Sequence, residues 1–208
     1  MATLIYHFTA LANLPSIARS GGLHCLNGLL RNGIRHDSIA YESVQAKRAN
    51  TRVPCGPGGC LHDYVPFFFA PRSPMLYAIH KGRVLCPNGQ DGLACIVSTA
   101  ENIADGGIGF AFTDGHGIMA LTNFYDDLRN LNKIDWAVMG ARYWQDTSDA
   151  PDRSRRRQAE FLVQKFFPWR CVLGVAVNRA ATIAKVRASL GVLGATTQVK
   201  VKSDYFFS

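Results

Sequence analysis

The stretch Arg153-Ser154-Arg155-Arg156-Arg157-Gln158-Ala159-Glu160-Phe161-Leu162-Val163 sets one carboxylate between four arginines and an apolar, β-prone run. If Phe161-Leu162-Val163 is a buried strand, Glu160 stands at its entrance, held by a rigid element. The basic rim beside it would draw in a polyanion. That makes Glu160 a candidate catalytic carboxylate; the plainer reading is a solvated charge run leading into a core strand. Three further groupings have chemical potential. Asp114 and His116, in Thr113-Asp114-Gly115-His116-Gly117, follow a short strand and form either an acid/base pair or an Asx-type turn. Arg48 shares one side of a short helix with Tyr41 and Val44, where a guanidinium suits a pyrophosphate or simply faces solvent. Cys55, Cys60 and His62 lie in a Gly/Pro-rich loop, but no second Cys/His pair follows at a zinc spacing, so no metal is expected.

The elements that must position these groups are legible in outline. Leu4-Ile5-Tyr6-His7-Phe8 reads as a buried strand, with Thr9 capping a helix that carries Leu11, Leu14, Ile17 and Ala18 and ends at Gly21-Gly22. His7 and Thr9 then fall at the mouth of the first strand, a place for ligand contacts. Residues 28–50 are polar and basic. Tyr64-Val65-Pro66-Phe67-Phe68-Phe69-Ala70 is β-prone, and its proline predicts an edge strand or a bulge. Ser73-Pro74 opens a helix that ends at Gly82. Leu93-Ala94-Cys95-Ile96-Val97 and Phe110-Ala111-Phe112 are strands. Leu121, Phe124, Leu128 and Leu131 predict an amphipathic helix over 121–131, and Ile134-Asp135-Trp136 starts another running to Trp144. The polar segment 145–154 delivers the chain to the arginines and Glu160. After it come the strand Cys171-Val172-Leu173-Gly174-Val175-Ala176-Val177, a helix over 180–190, and a final strand Val199-Lys200-Val201-Lys202 with one face to water.

With 208 residues and no repeat, linker or low-complexity tract, the chain reads as one α+β domain spanning 1–208. No run approaches the roughly 18 apolar residues that span a bilayer. The N-terminus does not resemble a secretory signal, so a cytoplasmic location with six reduced cysteines is expected. A net charge of +8 and a pI of about 9.4 favour an acidic partner such as nucleic acid.

Several motifs together resemble one family. They are Ile5-Tyr6-His7-Phe8-Thr9 with Asn13-Leu14-Pro15, Ser38-Ile39-Ala40-Tyr41, Lys47-Arg48-Ala49, Leu61-His62-Asp63-Tyr64-Val65-Pro66-Phe67, Pro71-Arg72-Ser73-Pro74-Met75-Leu76-Tyr77-Ala78-Ile79, Phe112-Thr113-Asp114 with His116, Asp135-Trp136, and Gln158-Ala159-Glu160-Phe161-Leu162-Val163. In this order they resemble the thymidine-modifying branch of the DarT family, the DNA ADP-ribosyltransferase toxins of DarT–DarG toxin–antitoxin systems. The resemblance runs over nearly the whole chain. It implies an ADP-ribosyltransferase-like mixed β-sheet core with flanking helices, NAD as co-substrate without a metal, single-stranded DNA as acceptor and a cognate DarG-type antitoxin as partner. It further implies Glu160 and Arg48 as catalytic residues. His7, Phe8, Thr9, Ser16, His24 and Arg48 would contact NAD, with residues 31–50 folding over it and residues 113–160 holding the substrate-reading loop. Lys47 departs from the family's pattern, in which another arginine commonly precedes Arg48.

With that reaction in view, a fixed carboxylate can stabilise the oxocarbenium-like centre left as nicotinamide departs while hydrogen-bonding a ribose hydroxyl. Arg153, Arg155, Arg156 and Arg157 are expected to contact phosphates, with Tyr143, Trp144 and His116 beside an unpaired base. Two alternatives remain: the same fold acting on guanosine, RNA or protein, or a non-catalytic nucleic-acid-binding module.

Overall fold

The computed structural model describes residues 2–208. Ten strands form among the described residues: β1 (Leu4–Ala10), β2 (Gly22–His24), β3 (Tyr64–Phe68), β4 (Leu93–Thr99), β5 (Phe110–Thr113), β6 (Phe124–Tyr125), β7 (Glu160–Gln164), β8 (Phe166–Pro168), β9 (Gly174–Val177) and β10 (Val199–Val201). Nine α-helices among the same described residues connect them: α1 (Leu14–Ser20), α2 (Leu26–Arg31), α3 (Glu42–Asn50), α4 (Pro74–His80), α5 (Ala100–Asp105), α6 (Trp136–Gly140), α7 (Arg153–Arg156), α8 (Thr182–Leu190) and α9 (Val192–Thr196). Eight strands make a mixed sheet in the order β10-β9-β4-β1-β3-β7-β5-β6, and β2 pairs with β8 in a small second sheet. Among the described residues only β10 and β9 run parallel. This is the α+β, mixed-sheet architecture expected from the sequence.

The apolar runs become strands because both of their faces are covered. One face carries the main core, with Ile5, Phe67, Ile96, Phe112, Phe161 and Val163 fully buried. The other face is divided. Tyr6, Phe8, Leu76 and Phe206 pack at one end, and Leu61, Tyr64, Ala111 and Leu162 pack at the other. That division follows the sheet itself, because β4-β1 and β3-β7 are each continuously paired while β1 and β3 share a single register pair, Tyr6↔Phe68. Glu160 pairs with Phe68. Tyr6, Phe68 and Glu160 therefore lie in one row on the divided face.

Several local expectations are met. Gly21 ends α1 in the left-handed region at φ 68°, and Ser73 Oγ accepts the N–H of Leu76 with Pro74 in the first turn of α4. Others are corrected. Thr9 remains in β1 and caps nothing; its hydroxyl accepts from Asn13 Nδ2 at 3.1 Å. β3 is an interior strand, neither edge nor bulge. Its ladder to β1 is almost absent, and the Pro66 carbonyl is taken instead by His7 Nδ1 at 2.7 Å, which fixes that nitrogen as the donor. The helix expected over 121–131 does not form. Phe124 and Tyr125 pair with β5, Asp127 caps a 3-10 turn, and Leu121 is exposed. Backbone partners on the edge of β5 outweigh the 3.6-residue periodicity there. The next helix stops at Gly140, well short of Trp144.

Candidate active site

Glu160 is the first residue of β7 and only 2 % exposed, yet its surroundings are polar. Its backbone N–H donates to Thr113 Oγ1 at 3.0 Å, and that hydroxyl in turn donates to the Gly115 carbonyl at 2.7 Å. One carboxylate oxygen, Oε1, accepts the backbone N–H of Gly117 at 3.2 Å. The other, Oε2, lies 2.7 Å from Arg48 Nη1. A buried carboxylate with both oxygens engaged by donors is fixed in one orientation. A Cβ on Gly117 would stand 3.3 Å from Oε1 and 3.2 Å from Leu61 Cδ1, so the loop passes close over the carboxylate.

Arg48 reaches this point from α3, the helical end of a strap over residues 33–50. The strap is pinned at both ends. Asn13 and Asp37 exchange two hydrogen bonds, Asp37 N to Asn13 Oδ1 at 2.8 Å and Asn13 Nδ2 to the Asp37 carbonyl at 3.0 Å. In α3, Gln45 Oε1 accepts from His62 Nε2 at 2.9 Å. Between the pins, Ile39 packs on the Tyr6/Phe8 patch. The strap thus crosses the gap between the two halves of the divided face. Arg48 is 7 % exposed and its Nη2 is buried without a partner. A buried guanidinium with a spare donor aimed into a polar site is prepared for an acceptor that a substrate would bring. A cleft of about 660 Å³ opens where the start of the strap meets Asn13 and the end of α2, lined by Leu29, Leu30, Ile34 and His36 among others.

His116 sits in the loop over Glu160. Burial pushes its imidazole below the ordinary range; Glu160 pulls the other way, and Arg48 and Lys47 reinforce the shift. It is therefore neutral at pH 7. His62 is lowered by burial first and by Arg48 second. His7 is held down to about 4 by burial, partly offset by its bond to Pro66. Among the described residues no three His, Cys, Asp or Glu side chains converge as a metal site, and Cys55 and Cys60 are free thiols.

A family model described as "ssDNA thymidine ADP-ribosyltransferase, DarT" matches residues 6–207. The chain belongs to the DarT family. It is 43% identical over 175 residues to a DNA ADP-ribosyl transferase of Thermus sp. (strain 2.9), covering 84% of this chain and 81% of that one. It is 36% identical over 210 residues to a DNA ADP-ribosyl transferase of Escherichia coli O127:H6, covering 99% and 94%. Among solved structures, Thermus sp. 2.9 DarT in complex with ADP-ribosylated ssDNA superposes with a TM-score of 0.92 at 38% identity, over 99% of this chain and 97% of that one. The same Thermus DarT in complex with NAD+ gives 0.88 at 36% identity, over 99% and 98%.

In this DarT-family chain the residues expected along the NAD wall are dispersed. His7 and Thr9 alternate with Tyr6 and Phe8 along β1, so they leave the sheet on the face opposite Glu160. Phe8 is 4 % exposed, its ring edge-on to Phe206 at 5.7 Å, which makes it core in this conformation. Ser16 donates to the Asn13 carbonyl at 2.8 Å, and His24 packs on Phe166 at 4.7 Å.

The four arginines also part company. Arg157 is 4 % exposed and donates to the carbonyls of Val138 at 2.7 Å, Met139 at 2.5 Å and Arg72 at 3.1 Å. Burial, and then Arg72, pushes its pKa down to about 10. The expectation that it joins a phosphate-binding rim is corrected, since it satisfies the carbonyl end of α6 from inside. Arg155 is paired with Asp114 and Asp152, and Arg156 with Asp135. Arg153 donates to the Tyr143 carbonyl at 2.7 Å. Tyr143 is 70 % exposed with the Arg142 guanidinium 5.5 Å over its ring, whereas Trp144 is half-buried against Tyr77.

Asn13, Thr113 and Gly117 stand in motifs quoted from the sequence but were given no role of their own there, and Gln45, inside α3, was not named at all. A lone polar residue or a glycine in a turn is a signal shared with many inert positions.

Proposed function

We propose that this protein transfers the ADP-ribose group of NAD to thymidine in single-stranded DNA, releasing nicotinamide. The observation that carries the reading is the buried Glu160 carboxylate, clamped by Arg48 and the Gly117 N–H where the strap and the loop meet over the sheet. As the C1′–N bond breaks, nicotinamide leaves with the bonding electrons and positive charge develops on the ribose. A fixed anion beside C1′ stabilises that charge, and burial strengthens the effect. A ring nitrogen of thymine then attacks C1′ and gives up its proton. Arg48 is a poor proton acceptor, as a guanidinium offers donors and no acceptor. Its unpartnered Nη2 would favour the developing base anion, leaving Glu160 or water to take the proton.

Tyr143 supports a stacking role for an unpaired base by its exposure, and Arg153 a phosphate contact at the same rim. The overall charge of +8 suits a polyanionic acceptor. We further propose that a DarG-type antitoxin is the cognate partner and that the reaction occurs in the cytoplasm, where NAD and DNA are both at hand. No helix among the described residues is long and apolar enough to cross a membrane.

The test is mass spectrometry of short oligonucleotides after incubation with the protein and NAD. Addition of one ADP-ribose to thymidine-containing single strands, lost in Glu160→Ala, is expected; an unmodified oligonucleotide with wild-type protein overturns the reading. Duplex DNA should be a poor acceptor, and rising salt should slow the reaction.

A further inference from the structure

Arg155 stands where three parts of the site meet. Its guanidinium forks onto Asp152, with Nε 2.8 Å from Oδ1 and Nη2 2.8 Å from Oδ2. Its Nη1 reaches Asp114 Oδ1 and Thr122 Oγ1, both at 3.1 Å. Four of the five N–H groups of an arginine are thereby used, and only 13 % of the side chain is exposed. The main-chain oxygen of Arg155 accepts the His116 N–H at 3.0 Å. Asp114 closes the far end of the same loop by accepting from Asn123 N at 3.0 Å and Asn123 Nδ2 at 2.8 Å. Even the loop's glycine is shaped to this side chain: a Cβ on Gly115 would fall 2.2 Å from Arg155 Nη1.

A phosphate approaching this guanidinium would meet the carboxylates of Asp114 and Asp152 already in place, and would have to displace one of them. Binding a DNA backbone is therefore a poor use of Arg155. The loop it holds contains Gly117, whose N–H is one of the two donors on Glu160. We propose that Arg155 is a positioning residue: by buckling Asp114 to Asp152 it holds the loop over 113–123 so that the Gly117 N–H fixes the Glu160 carboxylate for transfer. This rests on the ADP-ribosyl transfer reading of Glu160.

Two variants of the full-length protein test it, Arg155→Gln and the near-isosteric Asp114→Asn, the second of which alters no possible phosphate contact. Initial rates of oligonucleotide modification are measured against both substrates, together with single-strand affinity across a salt series. The expected result is a fall in kcat of tenfold or more in both variants, with KM for NAD within about twofold of wild type. The double variant should lose no more than the worse single one, since both break one linkage. Arg155→Lys, which can reach one carboxylate but not fork between two, should lie between. The salt slope of DNA binding should stay at its wild-type value.

Wild-type kcat in both variants overturns the proposal. So does a salt slope shallower by about 0.7 in Arg155→Gln with kcat unchanged, the signature of one lost phosphate contact on a single strand. If Arg155→Gln melts below the assay temperature, Asp114→Asn alone decides. Failure of the underlying reading looks different, because wild type itself would then leave the oligonucleotide unmodified.

Discussion

Arg48 Nη1 and Glu160 Oε2 stand 2.7 Å apart although 112 residues separate them in the chain, and both side chains are sealed from water. Neither charge is tolerable alone at such a place. Removing one partner of a buried pair costs about 3–5 kcal/mol, because the other is left uncompensated. Arg48→Ala should therefore lower both stability and turnover. Arg48→Lys keeps the charge but loses the fork that engages Glu160 with one nitrogen and leaves the other free for substrate. A large fall in kcat with a smaller loss in Tm is expected for the lysine variant; unchanged turnover would count against any role for the planar guanidinium.

The Asn13–Asp37 exchange predicts how the strap opens. With Arg48 covering Glu160, NAD can reach the carboxylate only if the strap yields, and Asn13 anchors the end remote from Arg48. Asn13→Ala removes both bonds and should speed amide exchange over residues 33–41 in hydrogen-exchange mass spectrometry. KM for NAD should rise more than kcat falls. Unaltered exchange in that segment would show that the anchor lies elsewhere.

Arg157 should behave as a structural residue in every assay. Arg157→Met leaves the carbonyls of Met139 and Arg72 without their side-chain donor, while Val138 keeps the Ala141 N–H, at about 1–3 kcal/mol for buried acceptors left unpaired. Thermal melting should show a loss of that order. The salt dependence of oligonucleotide binding should be that of the wild type, whereas an arginine on a phosphate would flatten it.

His7 sets a pH dependence. Its folded pKa near 4 lies below the ordinary 6.5, so the unfolded chain takes up the proton first as pH falls. Its contribution to stability is thus complete above about 6.5 and is lost as pH drops toward 4, on the order of 3 kcal/mol at most. His62 and His116 are shifted in the same direction and steepen the effect. Melting temperature should climb from pH 4 to pH 7, with a shallower climb in His7→Gln. A melting temperature flat over that range would contradict the desolvated, neutral imidazole.

The approach to Glu160 was legible because it is local: a polar, charged run turning abruptly into Phe161-Leu162-Val163 marks the first residue of a buried strand wherever that strand sits. The fate of the arginines was not. Arg155, Arg156 and Arg157 are consecutive on or beside one short helix, so they leave the backbone in different directions, and a charge run carries no record of which direction faces water. The periodicity at 121–131 failed for a related reason. Leu121, Phe124, Leu128 and Leu131 fit a helix, but the open edge of β5 and the side chains of Asp114 and Asp127 claim the backbone first.

The residue types and their order along the chain sufficed for the α+β class, the capped start of α4, the left-handed end of α1 and membership of the DarT family. Each of these depends on side-chain patterns within a few residues, or on motifs read in succession. The contacts that make a site of those residues came only with tertiary structure. The strand order brings β7 beside β3, the strap lays α3 across the divided face, and Arg48 then meets Glu160. Spacing along a chain does not encode which distant elements become neighbours; burial of both faces of the sheet decides that, and the charges must pair where it leaves them.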